Sequence, residues 1–355
     1  MSKKRLVIIY GLGIALMTTL IGFVPGHNGD LPFYIACSLE MQGVPHGEVR
    51  EQTKMILRQE LPPAEYAVHA GRVDDAAPGI LNFYYVKPAY IWLEWGFHKL
   101  GFSYIFATLL PSLIAYFFMG WIVLAWALAI LKPWQALLIG FLLMLTGPAM
   151  VIARLSSPDG LSSLVLLGVL YRLYFEKTKG VTLLLIFLSV LVRIDNAVAA
   201  LILLSAMAFW PSPESPNRLS RPVYAVLLTA MLFFTAAINF LVEKDFWWFT
   251  QANYLQSGGN YFRQMVIYLT VMSDSFLFLL LLLIVILGFV RPFSLREKDN
   301  WLLAAIGCIV LIRCGLFPEF EERFFACYYL AGILILADKV LRIFGPGKTL
   351  RYDGG

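Results

Sequence analysis

Residues 181–210 read VTLLLIFLSVLVRIDNAVAALILLSAMAFW, and the polar tetrapeptide Arg193-Ile194-Asp195-Asn196 splits them into two apolar pieces, each too short to cross a bilayer alone. A hydrocarbon core of roughly 30 Å requires about 20 consecutive apolar residues in a helix. A charged side chain at that depth costs at least ~2.5 kcal/mol, so it normally faces a protein interior or a water-filled cavity and marks function. How this run is threaded decides the fold.

The distribution of charge separates the two threadings. If 181–210 crossed once, Arg218, Arg221, Arg291, Arg296, Lys298, Lys339, Arg342, Lys348 and Arg351 would all lie outside, against the positive-inside rule. If the run enters, turns at Arg193–Asn196 and returns, all of them lie inside. The short outer loops then keep Arg154, Lys244, Arg263 and Arg323. The balance favours a pair of half-length helices, which lipid tolerates where freed backbone groups face protein or a cavity. The alternative is one long tilted helix with a snorkelling Arg193.

The rest of the chain has the composition of a polytopic membrane protein. Of its 355 residues 59% are hydrophobic and only 14% charged, and the mean hydropathy is +0.73. That is far more apolar surface than a soluble core needs. Leu6–Val24 follows Met-Ser-Lys-Lys-Arg and lacks a small-x-small cleavage site, so it reads as an uncleaved anchor with a cytosolic N-terminus. Further spans read as Tyr104–Leu131, Gln135–Ala153, Leu161–Tyr174, Val223–Val242, Met265–Val290, Trp301–Phe317 and Phe324–Phe344. The expected fold is all-α: a single transmembrane bundle over 1–355, with about eight full spans of the usual length plus the half-helix pair.

The pI near 8.9 follows from Lys and Arg at helix ends and is no argument for nucleic acid. Cys37, Cys308, Cys314 and Cys327 show no CxxC spacing, and no disulfide framework is expected.

Residues 26–103 form the one large polar region, a first outer loop with its own structure. His46–Gln59 carries Val49, Met55, Ile56 and Leu57 at helical spacing, which predicts an amphipathic helix on the outer membrane surface. Phe83–Leu100 carries Tyr84, Tyr85, Tyr90, Trp92, Trp95 and Phe97, as in an interfacial aromatic belt. Asp30 follows the first span, where a carboxylate is well placed to deprotonate a hydroxyl. It is equally placed to N-cap the helix beginning near Leu31, with Pro32 in the first turn. The two roles are compatible.

Several segments together resemble the GT-C fold glycosyltransferases, the superfamily of protein O-mannosyltransferases and lipid A aminoarabinose transferases. They are Asp30, Tyr34 and Ala36 as D-x-x-x-Y-x-A, then Val86-Lys87-Pro88-Ala89-Tyr90-Ile91-Trp92 before the second span. The polar break Arg193–Asn196 and the segment Glu321-Glu322-Arg323-Phe324-Phe325 opening the last span complete the set. The resemblance implies a bacterial inner-membrane enzyme with both termini cytoplasmic. It would use a polyprenyl-phosphate sugar donor, Asp30 as general base, and a lipid, glycan or protein acceptor. Two departures stand against it: Asp30 is followed by Leu31 where the family often pairs acidic residues, and a short tail, 345–355, stands where many members carry a soluble domain.

A donor phosphate in a low-dielectric cleft needs cations. Lys87, Arg154, Arg193, Arg263 and Arg323 are the candidates, each alternatively a salt-bridge partner or interfacial anchor. Arg154 and Asp159 share a short outer turn, and pairing with one another is the alternative to a substrate role for both. Tyr34, Asp159, Asp195 and Asn196 complete the substrate-binding candidates. His27, His46, His69, His98 and Asp74-Asp75 all fall in the outer segment without zinc-site spacing, so no cofactor is expected and a divalent cation is the one addition left open. Asn239 and Asp274 are further polar residues within apolar runs, as cavity lining or helix contacts. A lipid or solute transporter also places charges at broken helices, but no inverted repeat is visible here. A non-catalytic envelope scaffold is the third class.

Overall fold

The computed structural model describes residues 3–75, 80–242, 262–263, 266–267, 270, 294–316 and 321–344. Helix α1, Lys3–Gly22, stops before Pro25-Gly26. The segment between α1 and the next long helix then folds as five short helices, α2 (Leu31–Met41), α3 (His46–Glu60), α4 (Pro63–Asp74), α5 (Ile80–Tyr85) and α6 (Pro88–Lys99). Gly43, at φ +85°, supplies the left-handed residue that ends α2, which a side chain would strain.

The amphipathic helix is present as α3, with Met55 of the expected apolar set exposed and the other three buried. Val49, Ile56 and Leu57 are buried against Leu31, Ile35 and Leu39 of α2, a core of its own. Burial of each such side chain stabilises by about 1.5–3 kcal/mol, so most of that apolar face packs on α2. The expected aromatic belt divides likewise. Tyr84 and Tyr90 are buried, whereas Trp92 is exposed.

Helix α7, Tyr104–Ile130, begins at Ser103, whose hydroxyl accepts from the Phe106 amide at 3.3 Å. Its 27 residues reach about 40 Å, and it is the central column of the bundle. The straight span expected over Gln135–Ala153 is instead two helices, α8 (Pro133–Met144) and α9 (Gly147–Arg154), bent by 59°. Gly147-Pro148 accounts for the break, because proline has no N–H to continue the ladder.

Helices α10 (Asp159–Tyr174), α11 (Lys179–Val192) and α12 (Asn196–Ala208) answer the threading question. Asn196 Nδ2 donates to Ser162 Oγ at 2.8 Å, tying the start of α12 to the start of α10. At the other extremity Trp210 Nε1 donates to Glu176 Oε1 at 3.3 Å, and Asn217 Nδ2 to the Leu173 carbonyl at 2.8 Å. The end of α12 thus lies level with the end of α10, so the chain turns at 193–195 and returns. With 14 and 13 residues, the legs are about 21 and 20 Å long, short of a full crossing.

Helix α13 covers Arg221–Val242, α14 covers Lys298–Leu316, and a single 3₁₀ turn, Glu322–Phe325, leads into α15, Ala326–Phe344. Trp301 Nε1 donates to the Ala206 carbonyl at 2.9 Å, so α14 starts at the open end of the hairpin. Among the described residues five helices are long and apolar enough to cross a membrane, or six if the bent pair counts as one span. This is fewer than the expected eight. Helix α10 has only 16 residues, and Met265–Val290 lies outside the described residues apart from isolated positions.

Candidate functional site

Two polar centres lie at the end of the bundle that carries helices α2 to α6. The first is built on α2, α5 and the start of α6. Asp30 occupies the N-cap position of α2, yet its side chain makes no capping bond. Its oxygens instead accept from the Tyr84 hydroxyl at 2.9 Å and from Asn28 Nδ2 at 3.1 Å. The carboxylate is therefore held in place by side chains rather than by the amides of the helix end.

Lys87 follows from the same local logic. Pro88 opens α6, which leaves Lys87 at its N-cap and directs the side chain inward. Its Nζ donates to the Tyr34 hydroxyl at 3.1 Å and lies over the rings of Phe83 at 4.3 Å and Tyr84 at 4.6 Å. Burial lowers its ammonium to about 8, Asp30 pulls the other way, and Arg193 lowers it further. Among the described residues no carboxylate stands within ion-pair distance of it. Tyr34, fully buried, has its phenol pushed up by burial and by Asp30.

The second centre gathers the ends of α11 and α14 and the starts of α10, α12 and the 3₁₀ turn. Arg193 grips Asp195 with both arms of its guanidinium, at 2.9 and 2.8 Å, and pairs with Asp159 through a third nitrogen. Arg313 pairs with Asp195 from the opposite side, and Arg323 Nε lies 3.5 Å from Asp159. Arg323 also pairs with Glu321. The Phe324 ring is the hub: Arg193, Arg313 and Arg323 stand 4.8, 4.6 and 4.9 Å from its centroid. Within the cluster remains a cavity of about 10 Å³, room for one water. Lys87 feels both Arg193 and Asp195, so the two centres face one another.

The expected set divides accordingly. Asp30, Tyr34 and Lys87 come together, as do Asp159, Arg193, Asp195, Asn196 and Arg323. Arg154 stands apart. It is exposed and donates to the Val24 carbonyl at 2.9 Å, beside the Gly26 amide bond to its own carbonyl. That clasp fastens the end of α1 to the α9–α10 turn, and Asp159 is taken by Arg193 and Arg323, so an Arg154–Asp159 pair does not form. Arg263 is exposed, and most of its neighbours in sequence lie outside the described residues. Asp274 lies outside them too. Asn239 donates to the Thr235 carbonyl of its own helix at 2.9 Å.

Sequence patterns did not assign Arg313, Tyr84 or Glu94 to a site. For Arg313 the signal is present, a lone arginine inside the apolar run of α14. Glu94 is fully buried, and both its oxygens lack a hydrogen-bond partner among the described residues. Burial raises its carboxyl well above the ordinary value. Among the described residues no group of three or more His, Cys, Asp or Glu is arranged to hold a metal ion.

No protein-family model, curated protein or solved structure matches the chain.

Proposed function

We propose that this chain is an integral membrane glycosyltransferase of GT-C type, moving a sugar from a polyprenyl-phosphate donor to an envelope acceptor at the outer membrane face. The observation that carries this reading is the pairing of Asp30, a carboxylate positioned by Tyr84 and Asn28 and not used as a cap, with Lys87, a buried ammonium that lacks a carboxylate partner among the described residues. An unpaired buried cation is costly, so a site that keeps one is suited to an anion that arrives with substrate.

In the proposed reaction, the acceptor hydroxyl oxygen attacks the anomeric carbon and passes its proton to Asp30. The bond from that carbon to the phosphate oxygen breaks, and its electron pair stays on the phosphate, next to Lys87. Direct attack inverts the anomeric centre. The positive-inside rule, applied to Lys298, Lys339 and Arg342 at the far end of the bundle, supports a cytoplasmic side at that end. In that proposed orientation the two polar centres would face the outer side of a bacterial inner membrane. No nucleic acid has a part in this scheme.

Asp30→Asn tests it, because the amide keeps the hydrogen-bonding shape but takes up no proton. A general base contributes about 10²- to 10⁴-fold to rate. The variant is expected to melt within a few degrees of the parent, bind a polyprenyl-phosphate sugar, and lose transfer by that factor. Unchanged transfer removes Asp30 as base.

A lipid or solute transporter without catalytic activity is the second reading, favoured by the charged break between α11 and α12. It predicts lipid movement across proteoliposomes that survives Asp30→Asn.

A further inference from the structure

His27 and His69, which the spacing of the histidines leaves unassigned, meet beside Asp30. Glu65, His69 and Arg72 recur at i, i+4 and i+7 along α4 and so share one face of that helix. That face lies along the loop 27–30, which ends at Asp30. Glu65 Oε2 stands 3.8 Å from His27 Nε2, and the rings of His27 and His69 meet edge to face at 6.5 Å. The Arg72 guanidinium rests on Gly29, where a Cβ would overlap it. Both imidazoles are nearly sealed, the His27 side chain 7% exposed and His69 4%. The Nδ1 atom of each is buried without a hydrogen-bond partner among the described residues. An unpaired polar atom is costly to bury and a charge more so. Burial accordingly lowers both imidazoles below the ordinary 6.5; His27 and then Arg72 lower His69 further, and Glu65 opposes the shift on both. Among the described residues Glu65 and Arg72 are the charged groups that bear on the pair.

We infer that His27 and His69 form a proton-operated latch, which seats α4 on the Asp30 loop while both rings are neutral and releases it when both take up protons. One imidazolium is tolerated, because Glu65 stands close enough to offset it. A second, on His69, faces the first and Arg72, and no further carboxylate among the described residues meets it. The repulsion is relieved by moving this face of α4 off the loop. Val73 packs in the core shared with α2 and α3, and Asp74 pairs with Arg50 and Lys54. The last turn of α4 therefore stays anchored while the turns bearing Glu65 and His69 come away. Since both imidazoles are lowered in the folded state, the closed form is fully favoured above 6.5 and loses ground as pH falls below it. Asn28, in the same loop, donates to Asp30, so release reaches the carboxylate. Any consequence for sugar transfer rests on the glycosyltransferase reading. The latch itself does not.

The test is amide hydrogen exchange on the full chain in detergent, at pH values on either side of 6.5, corrected for the intrinsic pH dependence of exchange and referred to α10. A helix of 12 residues is marginal without packing, so the amides of α4 report its release. Opening of α4 and of residues 27–30 is expected to rise below 6.5 by up to about tenfold per pH unit for each histidine, while α10 stays level. In His69→Gln the slope should drop to that of one proton or less. In Arg72→Gln, where an exposed repelling charge is gone, the opening should move to lower pH. Equal exchange of α4 on both sides of 6.5 in the parent, or an unchanged slope and midpoint in both variants, overturns the latch. If His69→Gln unseats α4 at every pH, Arg72→Gln decides alone: a shift to lower pH upholds the latch and an unmoved midpoint overturns it. Transfer is not the readout, so either result leaves the proposed function where it stands.

Discussion

The two polar centres share one end of the bundle and are built on opposite electrostatic plans. Around Phe324 every arginine has a carboxylate within reach, and the buried acids are shared between arginines. Around Lys87 the cation has aromatic rings and a phenol, and Asp30 has a phenol and an amide. A satisfied network fixes where helix ends sit, since each member is costly to leave unpaired. On the proposed function, two opposite charges bonded to neutral partners rather than to each other are what an incoming substrate would meet. We propose that the richer cluster is mainly scaffold and that the sparser one is the place for chemistry.

The largest effect that separates them is on stability. Arg193→Ala leaves Asp159 and Asp195 each short of a partner and is expected to cost about 3–5 kcal/mol, the penalty for breaking a buried pair. Removing Asp195 as well should recover part of the loss. A melting temperature equal to the parent's would mean that the cluster has no structural role and that the contrast fails.

Lys87→Met should act on binding instead. Donor affinity is expected to fall by about 1.5–3 kcal/mol, one charge-assisted contact, with little change in melting temperature. In the parent protein the ammonium form dominates below about 8, so donor affinity should be full there and decline as pH rises through that value. A flat profile well into the alkaline range would show that Lys87 does not meet the phosphate.

Glu94 sharpens the comparison with a third case, a buried acid with no compensation at all. Its folded carboxyl titrates above the ordinary 4.5, so over that window the native state keeps a proton the unfolded chain has released. Stability should therefore fall as pH rises above 4.5, and Glu94→Gln should flatten that slope. Glu94→Leu should add about 1–3 kcal/mol at neutral pH by removing an unpaired polar group.

The smallest perturbation tests the frame in which both centres sit. Cysteines placed at Pro213 and Ser294 are expected to react only with reagents admitted to the cytoplasmic side. Labelling of either by an impermeant reagent from the outer side would break the shared orientation of the two centres.

The hairpin at Arg193–Asn196 is legible in the amino-acid sequence, because two apolar runs too short to cross and a one-sided set of basic helix ends leave few threadings. Helices α1, α7, α13 and α15 are legible for the same reason: length and hydropathy are local properties. The bend at Gly147-Pro148 has a local cause as well, but the unbroken apolar composition around it masks the break as a straight span. Asp30, Tyr34 and Lys87 are each visible as residues, but their meeting is not, since it depends on α5 and α6 folding back over α2.

What the amino-acid sequence determined alone is the class of the protein, a helical chain with charged breaks at depth, because the cost of burying charge and backbone arises residue by residue. What tertiary structure decided is the pairing. Arg193 had Asp195 two residues away, but only packing brought it Asp159, brought Arg313 to Asp195, and left Arg154 to clasp α1. It also packed Val49, Ile56 and Leu57 of α3 onto α2. Partners in an ion network are chosen by distance in space, and sequence separation does not encode that distance once helices pack across one another.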